Sequence, residues 1–251
     1  DLCRLLGVSY SRAKHVVATY KDLEIPSIKD QIPKDASWEE QIEIVKSMDR
    51  LVGVHSIVPS EVIIEIETDK PVGVVYTADW QLGMPGVDYD SFKADMSAIR
   101  DEEGLVCEVG GDGYQNMIQP SKIGSSQNQT PISVQRGLFV LTLKELGDSV
   151  KVLRTGNHNY WSTLAVGEDW EAELAKRLKL LYMKHYGIVH WKVGETVYTE
   201  VAMHKGQYNS SFNWTHSNKQ MQRMHFPQAR ITVIEDRHIA DMEQYRYAEK
   251  E

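Results

Sequence analysis

The sequence predicts an α/β protein with a layered sheet and a small helical segment in front of it. Three observations support this. From residue 61 onward short apolar runs alternate with helical patterns. Several of those runs end on Gly, Asp, Asn or His. Before residue 60 the periodicity is helical only. At 251 residues, 41% apolar and 25% charged, the chain can bury a full core and has the composition of an ordinary globular protein. It contains no run of about 18 apolar residues, so no helix is expected to cross a membrane. The net charge of -8 gives no general attraction to phosphate backbones. Nucleic-acid contact would then require a local basic patch or bound cations. Cys3 and Cys107 have neither metal nor redox spacing, which points to a reducing compartment and hence the cytoplasm. The first residues lack the pattern of a secretory signal, and a start at Asp1 suggests a processed or excised piece.

Residues 1–58 read as a helical domain and linker. In "DLCRLLGVSYSRAKHVVATYK" Leu2, Leu5 and Leu6 share a face, Gly7 breaks the pattern, and Ser9 restarts it as an N-cap. Helix, short turn, helix is the shape of a helix-turn-helix reader. Four basic residues against one acidic residue in this stretch make Arg4, Arg12 and Lys14 candidate nucleic-acid contacts. A plain helical hairpin that packs on the next domain fits the same pattern. A connection marked by Pro and Asp leads to a helix expected from Trp38 to Leu51, opened by a capping box of Ser37 and Glu40.

Residues 59–251 read as the α/β domain. Strands are expected in "EVIIEIE", "PVGVVYTAD", "LVCEVGGD", "VKVLRTGNH", "TEVAMHKG" and "RITVIEDRH". Helices are expected in "YDSFKADMSAIRDEEG", "ISVQRGLFVLTLKELG" and "GEDWEAELAKRLKLLYMKHYG". His185 and His190 read as flanking a turn. Trp161, Trp170, Trp191 and Trp214 read as core, with Trp161 also placed to rim a cleft or stack on a base.

In open α/β sheets ligands gather beyond the carboxyl ends of strands. Here those ends carry one kind of chemistry. Asp79 and Gln81 follow "VVYTA", Asp112 and Asn116 follow "VCEVGG", and Asn157 and His158 follow "VLRTG". His204 ends "TEVAM", while Asp236 and His238 end "RITVIEDRH". Carboxylate, amide oxygen and imidazole at five strand ends are ligands for hard or borderline cations.

In that order the residues resemble the calcineurin-like metallophosphoesterases, and most of all their phage-encoded members. The family motifs D-x-H, G-D-x-x-D/N, G-N-H-D/E, a lone His and G-H-x-H correspond to "DWQ", "GDGYQN", "GNHN", "MHKG" and "EDRH". The resemblance covers roughly residues 70–245 and implies an αββα sandwich holding two divalent cations. Manganese is the first choice, with iron, zinc or magnesium as alternatives. One cation would take Asp79, Gln81, Asp112 and His238; the other would share Asp112 and take Asn157, His204 and Asp236. The family's reaction is hydrolysis of a phosphodiester or phosphomonoester, with His158 beside the phosphoryl group and Arg237 placed to clamp it. A nucleic-acid substrate, DNA first, is favoured by the helical start and the phage likeness. Cytoplasmic placement in a bacterial host follows from the same likeness. Departures occur at Gln81 for His, Asn159 for an acidic residue, Glu235 for Gly and Asp236 for His. They leave a second expectation open, a catalytically impaired nucleic-acid-binding module. A small-molecule or protein phosphatase is a further enzyme alternative. The chain also stops before the strands that usually close the family's sheet, which makes it either a compact variant or a truncated piece.

Overall fold

The computed structural model describes residues 37–43, 46, 60–118, 130–208 and 210–236. The helix-turn-helix segment with Arg4, Arg12 and Lys14, and the last-motif residues Arg237 and His238, lie outside the described residues. The chain divides into two units, Asp1–Pro59 and Ser60–Glu251. In the first, residues 38–43 are helical. The capping box forms reciprocally: the Ser37 amide donates to Glu40 Oε2 at 2.7 Å and the Glu40 amide donates to Ser37 Oγ at 3.2 Å.

The second unit is built from two sheets. β1 (Glu61–Ile66) is followed by β2 (Gly73–Thr77), α1 (Tyr89–Asp101), β3 (Leu105–Val109), α2 (Ile132–Leu146) and β4 (Val150–Leu153). Then come α3 (Asn157–Val166), α4 (Trp170–Leu178), β5 (Tyr186–Val193), β6 (Thr196–Met203), α5 (His216–Met224) and β7 (Ile231–Ile234). One sheet is β2-β3-β4, all parallel. The other is β1-β5-β6-β7, parallel except for the β5–β6 hairpin. This is the mixed α/β architecture the alternating pattern calls for.

Strand alternation decides what each face meets. In β3, Val106 packs with Val152 of β4 and with Val62, Val189 and Trp191 of the other sheet, so the two sheets share one apolar core. Cys107 and Val109 point to the opposite face and are also fully buried. The far side of the four-stranded sheet is covered where Val201 of β6 packs on Met221 of α5 and on Ala229.

Three local features differ from the sequence expectation. "GNHNYW" does not leave its strand as a loop; it enters α3 directly, because Gly156 takes the extended conformation of a helix N-cap. His190 does not flank a turn but lies inside β5, where its ring nitrogens meet Glu61 Oε1 at 3.0 Å and Thr199 Oγ1 at 3.1 Å. The long amphipathic pattern after Gly167 ends as helix at Leu178, since Lys179 turns left-handed at φ 58° and caps it.

Between the sheets lies a buried charged cluster. Arg154, just after β4, pairs with Glu108 of β3 and approaches Glu200 Oε1 of β6 at 3.5 Å, and all three side chains are fully buried. Glu200 Oε2 also accepts from Tyr76 Oη of β2 at 2.7 Å and from Trp191 Nε1 of β5 at 2.6 Å. Burial pushes Glu108 well above the usual carboxylate range, against the pull of Arg154. Removing one partner of such a buried pair leaves uncompensated charge and costs about 3 to 5 kcal/mol. Arg154→Leu is therefore expected to lower the urea unfolding free energy by that amount. A loss under about 1 kcal/mol, within the range of an exposed pair, would contradict it. The Cys107 thiol, raised to about 12 by burial and by Glu108, should resist iodoacetamide at pH 8 until the chain is unfolded. Peptide mapping of the alkylated protein before and after denaturation checks this.

Candidate metal centre

Beyond the ends of β2 and β3 the chain keeps the two loops in step. The Asp79 amide donates to Gly111 O at 3.1 Å, the Gln81 amide to Asp112 O at 2.9 Å and the Gln115 amide to Leu82 O at 3.1 Å. This ladder holds Asp79 (φ 52°), Gln81 (φ 43°), Asp112 (φ 51°) and Asn116 (φ 41°) in the left-handed region. Non-glycine residues reach that region at a cost of order 1 kcal/mol or more each, and they persist only where surrounding structure over-determines them. Four such residues within two neighbouring loops mark a place where backbone comfort yields to side-chain direction.

Gly111 makes the next approach. At φ 115°, a Cβ on it would lie 2.5 Å from the Gly156 nitrogen, so only glycine lets the loop after β3 touch the start of α3. Asp112 consequently reaches across that seam. Its Oδ1 accepts from the His158 amide at 2.9 Å, and its Oδ2 lies 3.2 Å from His204 Nε2 and 4.0 Å from His158 Nε2. Asn116, deeply buried, is not aimed at a cation; its Nδ2 donates to His158 O at 2.6 Å and fixes the first turn of α3.

His204, after β6, sits among oxygens on every side. Its Nδ1 lies 3.1 Å from Gly110 O and its Nε2 3.2 Å from both Asn157 Oδ1 and Asp112 Oδ2. With Nδ1 donating to the Gly110 carbonyl, Nε2 turns toward two acceptors. That arrangement needs a positive species between them, a proton or a metal cation. Desolvation works against the charged ring, yet Asp112, Asp79 and Asp236 outweigh it and carry His204 up to about 9. Asp79, His204 and Asp236 each present a ligand atom, and these atoms all lie within 4.8 Å of one another. Asp236 is held there because its own amide donates to His204 O at 2.8 Å. Carboxylates with an imidazole and an amide oxygen form a donor set that fits a divalent cation of the manganese, iron or zinc kind.

The sequence-derived candidates thus separate into groups. Asp79 and Asp236 join His204 within ligand reach, and Asp112 and Asn157 touch His204 directly. Gln81 is anchored by its backbone in the same loop. His158 stands beside Asp112 with its ring stacked on Trp161 at 4.4 Å. Its orientation does not depend on the side chain at 159, because Nδ1 faces the Gln115 carbonyl at 2.7 Å. Trp161 accordingly braces His158, a role that neither the core nor the cleft-rim reading anticipated.

Two features escaped the sequence reading. Glu235 does not crowd the backbone at its own position. It occupies the space left by Gly110, where a Cβ would fall 1.8 Å from the Glu235 carboxyl carbon. Its carboxylate oxygens are shut off from solvent without a hydrogen-bond partner. Burial pushes the group up to about 7 against Arg154 and His204. Glu171, second residue of α4, is also fully enclosed near Thr155. Glu235 showed in the sequence only as a departure from an expected Gly, and Glu171 as an acidic residue in a capping pattern.

The fold and site define a mixed α/β protein in which carboxylates and an imidazole at strand ends form a group that could hold a cation. Comparison with family profiles, curated proteins and solved structures found no match to this chain.

Glu171 gives a direct test of the enclosed surroundings. Desolvation raises it well above the carboxylate range, against a hydrogen bond from Thr155. The folded chain therefore keeps this proton after the unfolded chain has lost it, so stability falls as pH rises from the ordinary carboxylate range through the folded-state value. Glu171→Gln removes that loss. Its urea unfolding free energy should match the parent near pH 4 and exceed it by about 1 to 3 kcal/mol at pH 8. Identical pH profiles would mean the carboxylate is ionised and compensated in place.

Proposed function

We propose that the protein is a two-metal phosphoesterase of the calcineurin-like kind, with nucleic acid the favoured substrate. The observation that carries this is the meeting of Asp79, Asp112, Asn157, His204 and Asp236, drawn from the ends of different strands, around one small volume. Two sheets sharing a core, with the donors at strand ends, support the αββα layering expected of that family.

Asp112 is the residue suited to be shared, since its two oxygens are directed to different neighbours. His204, Asn157 and Asp236 would complete one cation site, and Asp79 with Gln81 the other, together with His238 beyond the described residues. Two bound divalent cations, manganese first, supply charge for the phosphoryl oxygens and an activated water. The chain's own residues supply orientation. The Gln115 carbonyl and the Trp161 ring fix the His158 imidazole, so that Nε2 faces the Asp112 side where a phosphoryl group would lie. From there a protonated His158 can donate to the leaving oxygen or hold the developing charge. The start of α3, with the His158 amide directed at Asp112, adds its positive dipole end.

Asp112→Asn tests the proposal. Calorimetric titration with Mn²⁺ and hydrolysis of bis(p-nitrophenyl) phosphate should both fall by more than the ~10- to 100-fold that loss of an outer-shell partner costs. Full hydrolysis by the variant after exhaustive chelation would overturn it. Tight nucleic-acid binding with no hydrolysis under any metal would favour the impaired binding module.

A further inference from the structure

A cavity of about 800 Å³ opens directly from the metal centre, since Asn157 and His204 belong to both. Its size is that of a site for a small organic ligand. Its walls are mostly flat rings. Tyr160 meets His185 edge to face at 4.5 Å, and Tyr208 lies nearly parallel to His225, at 22°, with Tyr208 Oη 3.1 Å from His225 Nε2. Met203 and Met221 add thioethers, which adapt to the outline of a planar guest.

Tyr208 holds φ at 62°, a conformation rare for an aromatic residue, and the residue is 38% exposed. Backbone strain of this kind clusters at ligand sites. At the end toward the candidate ligands, the exposed Lys205 pairs with Asp236 Oδ2 at 3.1 Å and brings positive charge beside the carboxylates. The cavity therefore changes from charged at one end to aromatic at the other. Imidazole edges among the rings give hydrogen-bonding partners that an aliphatic guest would leave unused.

We propose that this cavity holds the base of a nucleoside whose phosphate lies on the metal centre; the assignment rests on the phosphoesterase function proposed above. Ring stacking is tolerant of base identity, so discrimination among bases is expected to be weak.

Two measurements separate the cavity from the chemistry. Calorimetric binding of thymidine 5'-monophosphate is compared with ribose 5-phosphate, on the parent protein and on Tyr208→Ala and His225→Ala. Both substituted residues are exposed, and unfolding midpoints verify that the variants fold. The nucleotide should bind at least ~10-fold tighter than the sugar phosphate, within what stacking of one base provides. The ratio should fall toward one in both variants. Equal affinity for the two ligands, no binding of either, or a ratio unmoved in both variants would overturn the assignment. In parallel, the thymidine 5'-(p-nitrophenyl) and methyl p-nitrophenyl phosphodiesters are assayed with Mn²⁺. A KM at least ~5-fold lower for the thymidine ester supports the cavity assignment. Hydrolysis of both with equal KM overturns it while leaving the phosphoesterase function standing. Base-selective binding with no hydrolysis of either ester with Mn²⁺, Fe²⁺, Zn²⁺ or Mg²⁺ supports the cavity and sinks the phosphoesterase function.

Discussion

The two sheets meet through a buried polar cluster in which Arg154 bonds Glu108 and faces Glu200, while Tyr76 of one sheet donates to Glu200 of the other. Glu108 stands on one sheet and Glu200 on the other, and Glu200 is further tied to Tyr76 and Trp191. A hydrophobic contact of equal size would tolerate sliding, because apolar attraction has no direction. A buried carboxylate that accepts from Tyr76 and Trp191 and faces a guanidinium held by Glu108 does not, since each hydrogen bond requires a particular approach. The three-stranded sheet brings Asp79 and Asp112; the four-stranded sheet brings His204 and Asp236. The cross-sheet contacts at Glu200, together with the shared apolar core, hold one against the other.

Such a cluster is costly to bury, and its neighbours show how the cost is distributed. Glu108 is pushed toward its protonated form, and Glu235, next to Asp236, is raised to about 7. The interior therefore carries less charge than the count of its carboxylates suggests. Acidic groups below the site and acidic groups within it lie close enough to influence one another. His204, drawn up to about 9 by the aspartates around it, records the same negative potential from the site side.

The parts of this arrangement that could be read from the sequence were those with a local signature. Alternating apolar runs identified β1, β2, β3, β4, β6 and β7, and a Ser three residues before a Glu identified a reciprocal cap. The clustering of Asp79, His204 and Asp236 followed from a single idea, that polar residues at strand ends converge. What could not be read depended on partners far away in the chain. Whether "GNHN" begins a helix is settled by how Gly156 meets Gly111, not by the propensities of Asn and His. His190 looked like a turn residue because its partners, Glu61 and Thr199, lie on other strands. Arg154 and Glu108 interrupt apolar runs, and a single sequence gives no means of telling an interior pair from two edge residues.

The contact between Gly110 and Glu235 carries a consequence for how the chain can vary. A Cβ at 110 and the carboxyl group of 235 claim the same volume. The two positions are thus interdependent although 125 residues separate them: a side chain at 110 is admissible only if the Glu235 carboxylate moves away or 235 is shortened. In a library randomised at both sites, combinations bulky at both positions should be depleted relative to the product of the single-site frequencies. Such epistasis would report the proximity of these loops without any further structural measurement.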